Sequence, residues 1–238
     1  MQIYLLRHGE SDANVQGVIS DDPSQVFHLT PMGIAQAEIA AEELADVPFT
    51  HVYVSEHMRT RETAEVLVKL WLEAAAKKAE KAKKTEKSKD EKEKKDEAEE
   101  NGTTEAGTTE AGQSATPQRE KYPISVDARL NERRSGMSGQ PVSAFDNLVK
   151  PDPVHIKPEG GESFLEQMER VREFMDAVAE RHVDCIVLAV SHENPILAAQ
   201  AVAGRSSEES AKDDMANCEW VKVEWPPAEK PGKNGKKE

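Results

Sequence analysis

Arg7-His8-Gly9-Glu10 closes the first apolar run of the chain, and Ser191-His192 closes a late one. An unprotonated imidazole is a nitrogen nucleophile, and a guanidinium holds an anion in a planar fork. Gln2-Ile3-Tyr4-Leu5-Leu6 and Asp184-Cys185-Ile186-Val187-Leu188-Ala189-Val190 both read as short buried strands. In an open parallel sheet, residues just past the carboxyl ends of strands line the ligand crevice. Arg7, His8 and His192 can therefore meet in space although far apart in sequence. That combination suits a nitrogen nucleophile acting on an anionic substrate.

The elements that must position these groups alternate between strand and helix. Thr30-Pro31 reads as a helix start, with Thr30 as N-cap and Pro31 at the first helical position. Ala37, Ala41 and Leu44 give that helix a stripe of small residues. His51 to Ser55 reads as a strand. Arg59 to Leu72 reads as a helix with Ala64, Leu67, Val68 and Trp71 on one face. After Gly160-Gly161-Glu162-Ser163, apolar residues at 164, 168, 171, 175 and 178 make one face of a strong helix. A helix over Pro195–Val202 and a last strand over Cys218–Trp225 follow. This alternation predicts an α/β fold with a mostly parallel sheet.

Between these parts the composition changes. Residues 77–100 hold 10 lysines and 9 acidic residues, a nearly neutral run with many possible Glu/Lys pairs and no apolar stripe. Thr-Glu-Ala-Gly then occurs twice, at residues 104–107 and 109–112. The reading is one domain over residues 1–225, interrupted by a charged low-complexity insertion at 74–122, with a flexible tail at 226–238. The net charge of -14 lies outside the lysine-rich run and argues against nucleic-acid binding. No apolar stretch reaches the ~18 residues that span a bilayer. Charged residues at 7 and 10 break the first apolar segment too early for a signal peptide. Cys185 and Cys218 both fall in expected strands. A reduced, buried pair fits a cytoplasmic protein, with a disulfide open only if the strands are neighbours.

Five further segments surround the histidines: Leu29-Thr30-x-x-Gly33-x-x-Gln36-Ala37, Ser55-x-x-x-Arg59-Thr60-x-x-Thr63-Ala64, Leu130-Asn131-Glu132-Arg133, Gly160-Gly161-Glu162-Ser163, and Ser191-His192 itself. In this order they resemble the phosphoglycerate mutase-like branch of the histidine phosphatase superfamily. The resemblance covers nearly the whole body outside the insertion and tail. It implies a doubly wound α/β fold with helices on both faces of the sheet, a phosphohistidine intermediate, and no metal or other cofactor.

Residue by residue, the resemblance implies His8 as nucleophile, with Arg7 and Arg59 holding the phosphoryl group. It implies His192 as the second pocket histidine, Glu132 as proton donor, and Ser11 and Asn14 as secondary phosphate contacts. The chemistry accounts for these types. A phosphoryl group in transfer spreads charge over three equatorial oxygens, which arginine forks match. Both arginines should oppose protonation of His8. Glu132 would protonate the leaving alcohol and later activate water, and needs burial or a nearby negative charge to hold its proton at neutral pH. Each role has a plainer rival. Glu132 can simply pair with Arg133 or Arg134, and Glu162 is a second candidate donor or a helix cap. Ser11 and Asn14 can be turn formers. His57 has no evident need to enter the pocket, and His28, His51, His155 and His182 read as surface or capping residues.

The expected function is a phosphomonoester phosphatase, with cofactor-dependent phosphoglycerate mutase as the alternative. A metal-dependent hydrolase using His8 and His192 as ligands lacks any supporting motif. A phosphate-sensing pseudoenzyme would not need the full set of charged groups. The implied partner is a small phosphorylated substrate, with room for a protein partner on the insertion. Two departures stand out. Many family members follow the second histidine with Gly-Gly or Gly-His, whereas this chain has Glu193-Asn194-Pro195. The insertion occupies the place of a substrate-covering segment.

Overall fold

The computed structural model describes residues 1–77, 80, 123–182 and 184–227. The lysine-rich run after residue 80, the Thr-Glu-Ala-Gly repeats and most of the expected tail lie outside them. The chain divides into two units, Met1–Val68 with Tyr122–Glu238, and Lys69–Lys121.

The first unit is built on a five-stranded sheet of order β3-β2-β4-β1-β5. Its strands are β1 (Gln2–Arg7), β2 (His51–Val54), β3 (Ile124–Val126), β4 (Ile186–Ser191) and β5 (Trp220–Glu224). β1, β2, β3 and β4 are mutually parallel, and β5 pairs antiparallel with β1 at the edge. Central parallel strands are covered on both faces, which is why β1 and β4 read as near-continuous apolar runs. Leu5, Leu6, Val187, Leu188, Ala189 and Val190 are all fully buried. Each large aliphatic side chain so buried contributes about 1.5–3 kcal/mol.

The helices are α1 (Asp12–Gln16), α2 (Pro31–Glu43), α3 (residues 58–77), α4 (Val142–Val149), α5 (Phe164–Arg181), α6 (Glu193–Val202) and α7 (Ser207–Ser210). α3 runs from the first unit into the second, where residues 69–77 continue it. α2 begins as its sequence specifies, with the Thr30 hydroxyl accepting from Gly33 N–H at 3.0 Å and Pro31 in the first turn. α5 is closed at its start by a reciprocal Ser163/Glu166 box. Phe164, Val171, Phe174, Met175 and Val178 of α5 join Ile3, Leu5, Val187 and Ala189 of the sheet and Ile196–Ala199 of α6 in the main core. On β1, Tyr4 points to the other side, where it meets Phe49 and Trp220 edge-on and tilted, at 5.2 and 5.6 Å. Trp220 Nε1 donates to Glu43 at the end of α2. Among the described residues no helix is long and apolar enough to cross a membrane.

Neither cysteine lies in a strand. Asp184 takes a left-handed turn (φ 56), so β4 starts only at Ile186 and Cys185 precedes it, half-buried. An aspartate tolerates that conformation better than most residues. Cys218 sits in a turn at φ 58, its N–H donating to the Arg7 carbonyl, and β5 begins two residues later. Neither forms a disulfide.

Candidate active site

The parallel pairing of β1 with β4 brings the two histidines together. Arg7 is in register with Ser191, and the next residue of each strand is a histidine. His8 N–H donates to the Ser191 carbonyl at 3.0 Å, and the His8 and His192 rings meet edge-on with centroids 5.1 Å apart. β2 lies on the other side of β4, and its exit through Ser55 leads into α3, whose first turn supplies Arg59. Both His8 and Arg59 are almost completely buried, at 3% and 2% exposure.

Arg59 sets the proton positions. Its Nε donates to His8 Nε2 at 3.0 Å, and its Nη2 lies 3.1 Å from His192 Nδ1 and donates to the Ser20 carbonyl at 2.9 Å. A guanidinium has no lone pair to offer, so both imidazole nitrogens facing it are acceptors. His8 therefore carries its proton on Nδ1, which donates to the Gly9 carbonyl at 2.7 Å. His192 carries its proton on Nε2, 2.8 Å from Ser55 Oγ. Burial first, and then the Arg59 charge, hold both imidazoles well below the ordinary histidine range. Burial also lowers Arg59 to about 10, against the opposing field of Glu132, which leaves it cationic at neutral pH.

A cavity of about 840 Å³ opens onto this group, and Arg7, His8, Arg59, Glu132 and Asn14 are among its walls. The half-buried Glu132 is raised above the usual carboxylate range by desolvation. The Arg133 N–H that it accepts at 2.8 Å, the two arginines and Asn194 oppose that rise. Arg7 donates to the Met215 carbonyl and pairs with Glu193 at 2.8 Å. Its Nε is buried with no hydrogen-bond partner. The rival donor Glu162 is buried away from the cavity, pinned by Arg134 and Arg170.

Two sequence-predicted contacts are placed elsewhere. Ser11 does not line the cavity; its hydroxyl and N–H both donate to Asn14 Oδ1, at 2.9 and 3.0 Å. His192 is fully buried behind Arg59 and is not part of the wall. The loop holding His8 is itself clamped. Gly9 N–H donates to Thr63 Oγ1 at 3.1 Å, and Gly9 presses on the first turn of α2 so tightly that a Cβ there would lie 2.4 Å from the Gly33 carbonyl oxygen.

Sequence reasoning missed His57. It is buried, its ring centroid 4.6 Å from that of His192, and its Nε2 has no hydrogen-bond partner. Burial and Arg59 lower it to about 3, with Asp21 and Asp22 opposing. Its place two residues before Arg59 was the one available signal. The other histidines stand apart. His28 pairs with Glu62 and His155 with Asp152, both exposed. His51 and His182 stack at 3.7 Å, with Nδ1 of His51 bonded to Thr50 and Nε2 of His182 to the Tyr53 hydroxyl. Together with Cys185 they offer ligand atoms within 4.8 Å of one another, the one such metal-capable group among the described residues. It lies at the amino ends of β2 and β4, away from His8.

The family model of the histidine phosphatase superfamily (branch 1) matches residues 3–132 and 108–231. A probable fructose-2,6-bisphosphatase TIGAR A of Danio rerio is 38% identical over 67 residues, covering 28% of this chain and 26% of that protein. A probable phosphoglycerate mutase GpmB of Proteus mirabilis is 41% identical over 70 residues, covering 28% and 30%. An adenosylcobalamin/alpha-ribazole phosphatase of Salmonella typhimurium is 40% identical over 68 residues, covering 29% and 33%. The chain thus spans about a quarter to a third of these curated relatives. A mycobacterial glucosyl-3-phosphoglycerate phosphatase superposes with TM-score 0.62 at 21% identity, over 93% of this chain and 91% of the other. Bacillus stearothermophilus YhfR superposes with TM-score 0.65 at 19% identity, over 94% and 90%. These likenesses show a shared fold.

Proposed function

The chain belongs to the histidine phosphatase superfamily, branch 1, and from that premise we propose that it is a phosphomonoester phosphatase working through phospho-His8. With the phosphoryl group bound, Arg59 Nε–H passes from His8 Nε2 to a phosphoryl oxygen; the freed Nε2 lone pair attacks phosphorus while the ester P–O bond breaks, and Glu132 gives its proton to the departing alcohol oxygen. Water then attacks the phosphorus of phospho-His8, on the side opposite the imidazole nitrogen. Glu132, now a carboxylate, takes the water proton, the P–N bond breaks, and phosphate leaves. Arg59 and Arg7 hold the phosphoryl oxygens through both displacements, so the steps call on guanidinium groups and no metal ion. His192 is assigned as a positioning residue that holds Arg59 from behind, and Asn14 as a wall contact. Ser11 acts only through Asn14.

The observation behind this reading is the proton arrangement at His8. Nδ1–H is tied to the Gly9 carbonyl, and the Nε2 lone pair faces a buried guanidinium at 3.0 Å beside a cavity that also exposes Glu132. Residues 1–225 form the catalytic domain in this reading, and 74–122 is an insertion free to tether a protein partner. We place this enzyme in the cytoplasm, where both cysteines would stay reduced.

Incubation with a 32P-labelled monoester followed by alkaline quench should trap an acid-labile phosphoenzyme. His8→Ala should abolish it and lower phosphate release by roughly 10⁴-fold or more. The same adduct in His8→Ala would refute the assignment. Phosphoglycerate mutase is the second reading, favoured by Arg129-Leu130-Asn131-Glu132-Arg133. Interconversion of phosphoglycerates much faster than phosphate release would establish it instead.

A further inference from the structure

Glu193, the first residue of α6, sits where its carboxylate takes one of the two arginines of the cradle. Its Oε2 is 2.8 Å from Arg7 Nη1, and Arg7 also donates to the Met215 carbonyl. With Glu193 ionised, Arg7, Arg59 and Glu193 together leave one net positive charge for the incoming phosphoryl group. Arg133, the other buried arginine of the wall beside Arg59, is spent elsewhere. It is directed at the carbonyls of Pro153, Ile156 and Glu162 and stacks over Phe145 and Phe164. No buried cation therefore remains for a second anion on the substrate.

The rim adds to this. Asp214 lies close enough to both Glu193 and Asp146 to raise each of them, and Glu132 acts on Glu193 in the same sense. Burial is the largest cause for Glu193, which is raised to about 7 although Arg7 opposes the rise. Lys150 and Lys212 also line the cavity, but both are exposed. Ammonium groups on flexible, hydrated stems are weak counterweights to the Glu193 carboxylate, which Arg7 holds in place. Asp213 is paired with Arg205.

We propose that Glu193 makes this site selective for phosphomonoesters whose alcohol portion is neutral or cationic, and against those bearing a second phosphate or a carboxylate. The inference rests on the phosphatase reading and narrows its substrate class. Glu193 is the specificity-determining residue, with Asp214 as its support at the rim.

The test compares three monoesters of similar size, 2-aminoethyl, 2-hydroxyethyl and carboxymethyl phosphate, at pH 7.5 with the full chain. Phosphate release should show kcat/KM for the carboxymethyl ester about tenfold or more below that for the hydroxyethyl ester, with the aminoethyl ester at least equal to the latter. Glu193→Gln should narrow that gap about fivefold, chiefly through KM, and Asp214→Asn about twofold in the same direction. Asp214 is exposed, so its variant serves if Glu193→Gln does not fold. A carboxymethyl ester turned over as well as the hydroxyethyl ester, or a gap unchanged in both variants, overturns this inference and leaves the phosphatase reading standing. Absence of phosphate release from all three esters, together with no trapped phosphoenzyme, overturns both.

Discussion

The molecule holds two clusters of histidines at opposite ends of its central parallel strands, and only one of them meets a buried guanidinium and a cavity. At the carboxyl ends, His8, His57 and His192 are buried and sit edge-on, with Arg59 donating to His8 and lying against His192. At the amino ends, His51 and His182 are half-buried, stack at 3.7 Å and bond to hydroxyls. Imidazoles alone do not make a phosphoryl site. The difference is burial together with the guanidinium, which keep the rings unprotonated while the guanidinium fixes the tautomers, and the cavity with a protonatable carboxylate beside it.

The contrast can be broken at its strongest point by removing the carboxylate proposed as proton donor. Glu132→Gln should lower kcat by about 10²–10³-fold. The sign of its pH effect follows from its raised pKa: the acid form persists above the usual carboxylate range, so wild-type kcat should fall as pH rises through that raised value. The variant should lose this alkaline limb, and a profile identical in both proteins would remove Glu132 from the mechanism. Next comes the guanidinium. Arg59→Lys keeps the charge but loses the simultaneous reach to His8, His192 and Ser20, and kcat/KM should fall about 100-fold.

A third test reads the cluster through stability. His57 is held at about 3 in the fold but titrates near 6.5 when unfolded. Between those values the unfolded chain binds the extra proton, so stability is lost as pH falls below 6.5, by about 2 kcal/mol at pH 5. His8 and His192, also lowered, add in the same direction. Chemical denaturation at pH 7 and pH 5 should show this loss, and His57→Gln should recover about 2 kcal/mol of it. The smallest effect belongs to the other cluster. His51→Ala with His182→Ala should leave kcat/KM within about twofold, and a larger drop would mean that the two ends of the sheet are coupled.

Much of this arrangement was legible in the residues. The apolar runs gave β1 and β4 because parallel strands are buried on both faces, and Thr30-Pro31 and Ser163 announced their helices through local capping chemistry. The Arg7, His8, Arg59 and Glu132 convergence followed from strand ends and motif order. What stayed hidden depends on contacts between distant segments, which leave no local mark. Ser11 gives both its hydroxyl and its N–H to Asn14 Oδ1 and does not line the cavity. His192 retreated behind Arg59, and His57 was drawn in beside it by the first turn of α3. The capture of Arg7 by Glu193 needed the register of β1 against β4 before it could be seen.

The contact between Gly9 and Gly33 sets how little room the chemistry has to drift. A methyl group at Gly33 would lie 2.0 Å from the Glu10 carbonyl oxygen, far inside the reach of any non-bonded carbon and oxygen. Either the loop or the helix would have to retreat, and His8 Nε2 would leave its place beside Arg59. The seat of His8 has no room for one added methyl group, so in the proposed mechanism an uncharged change with no atom in the cavity should disable the site as surely as deleting the imidazole.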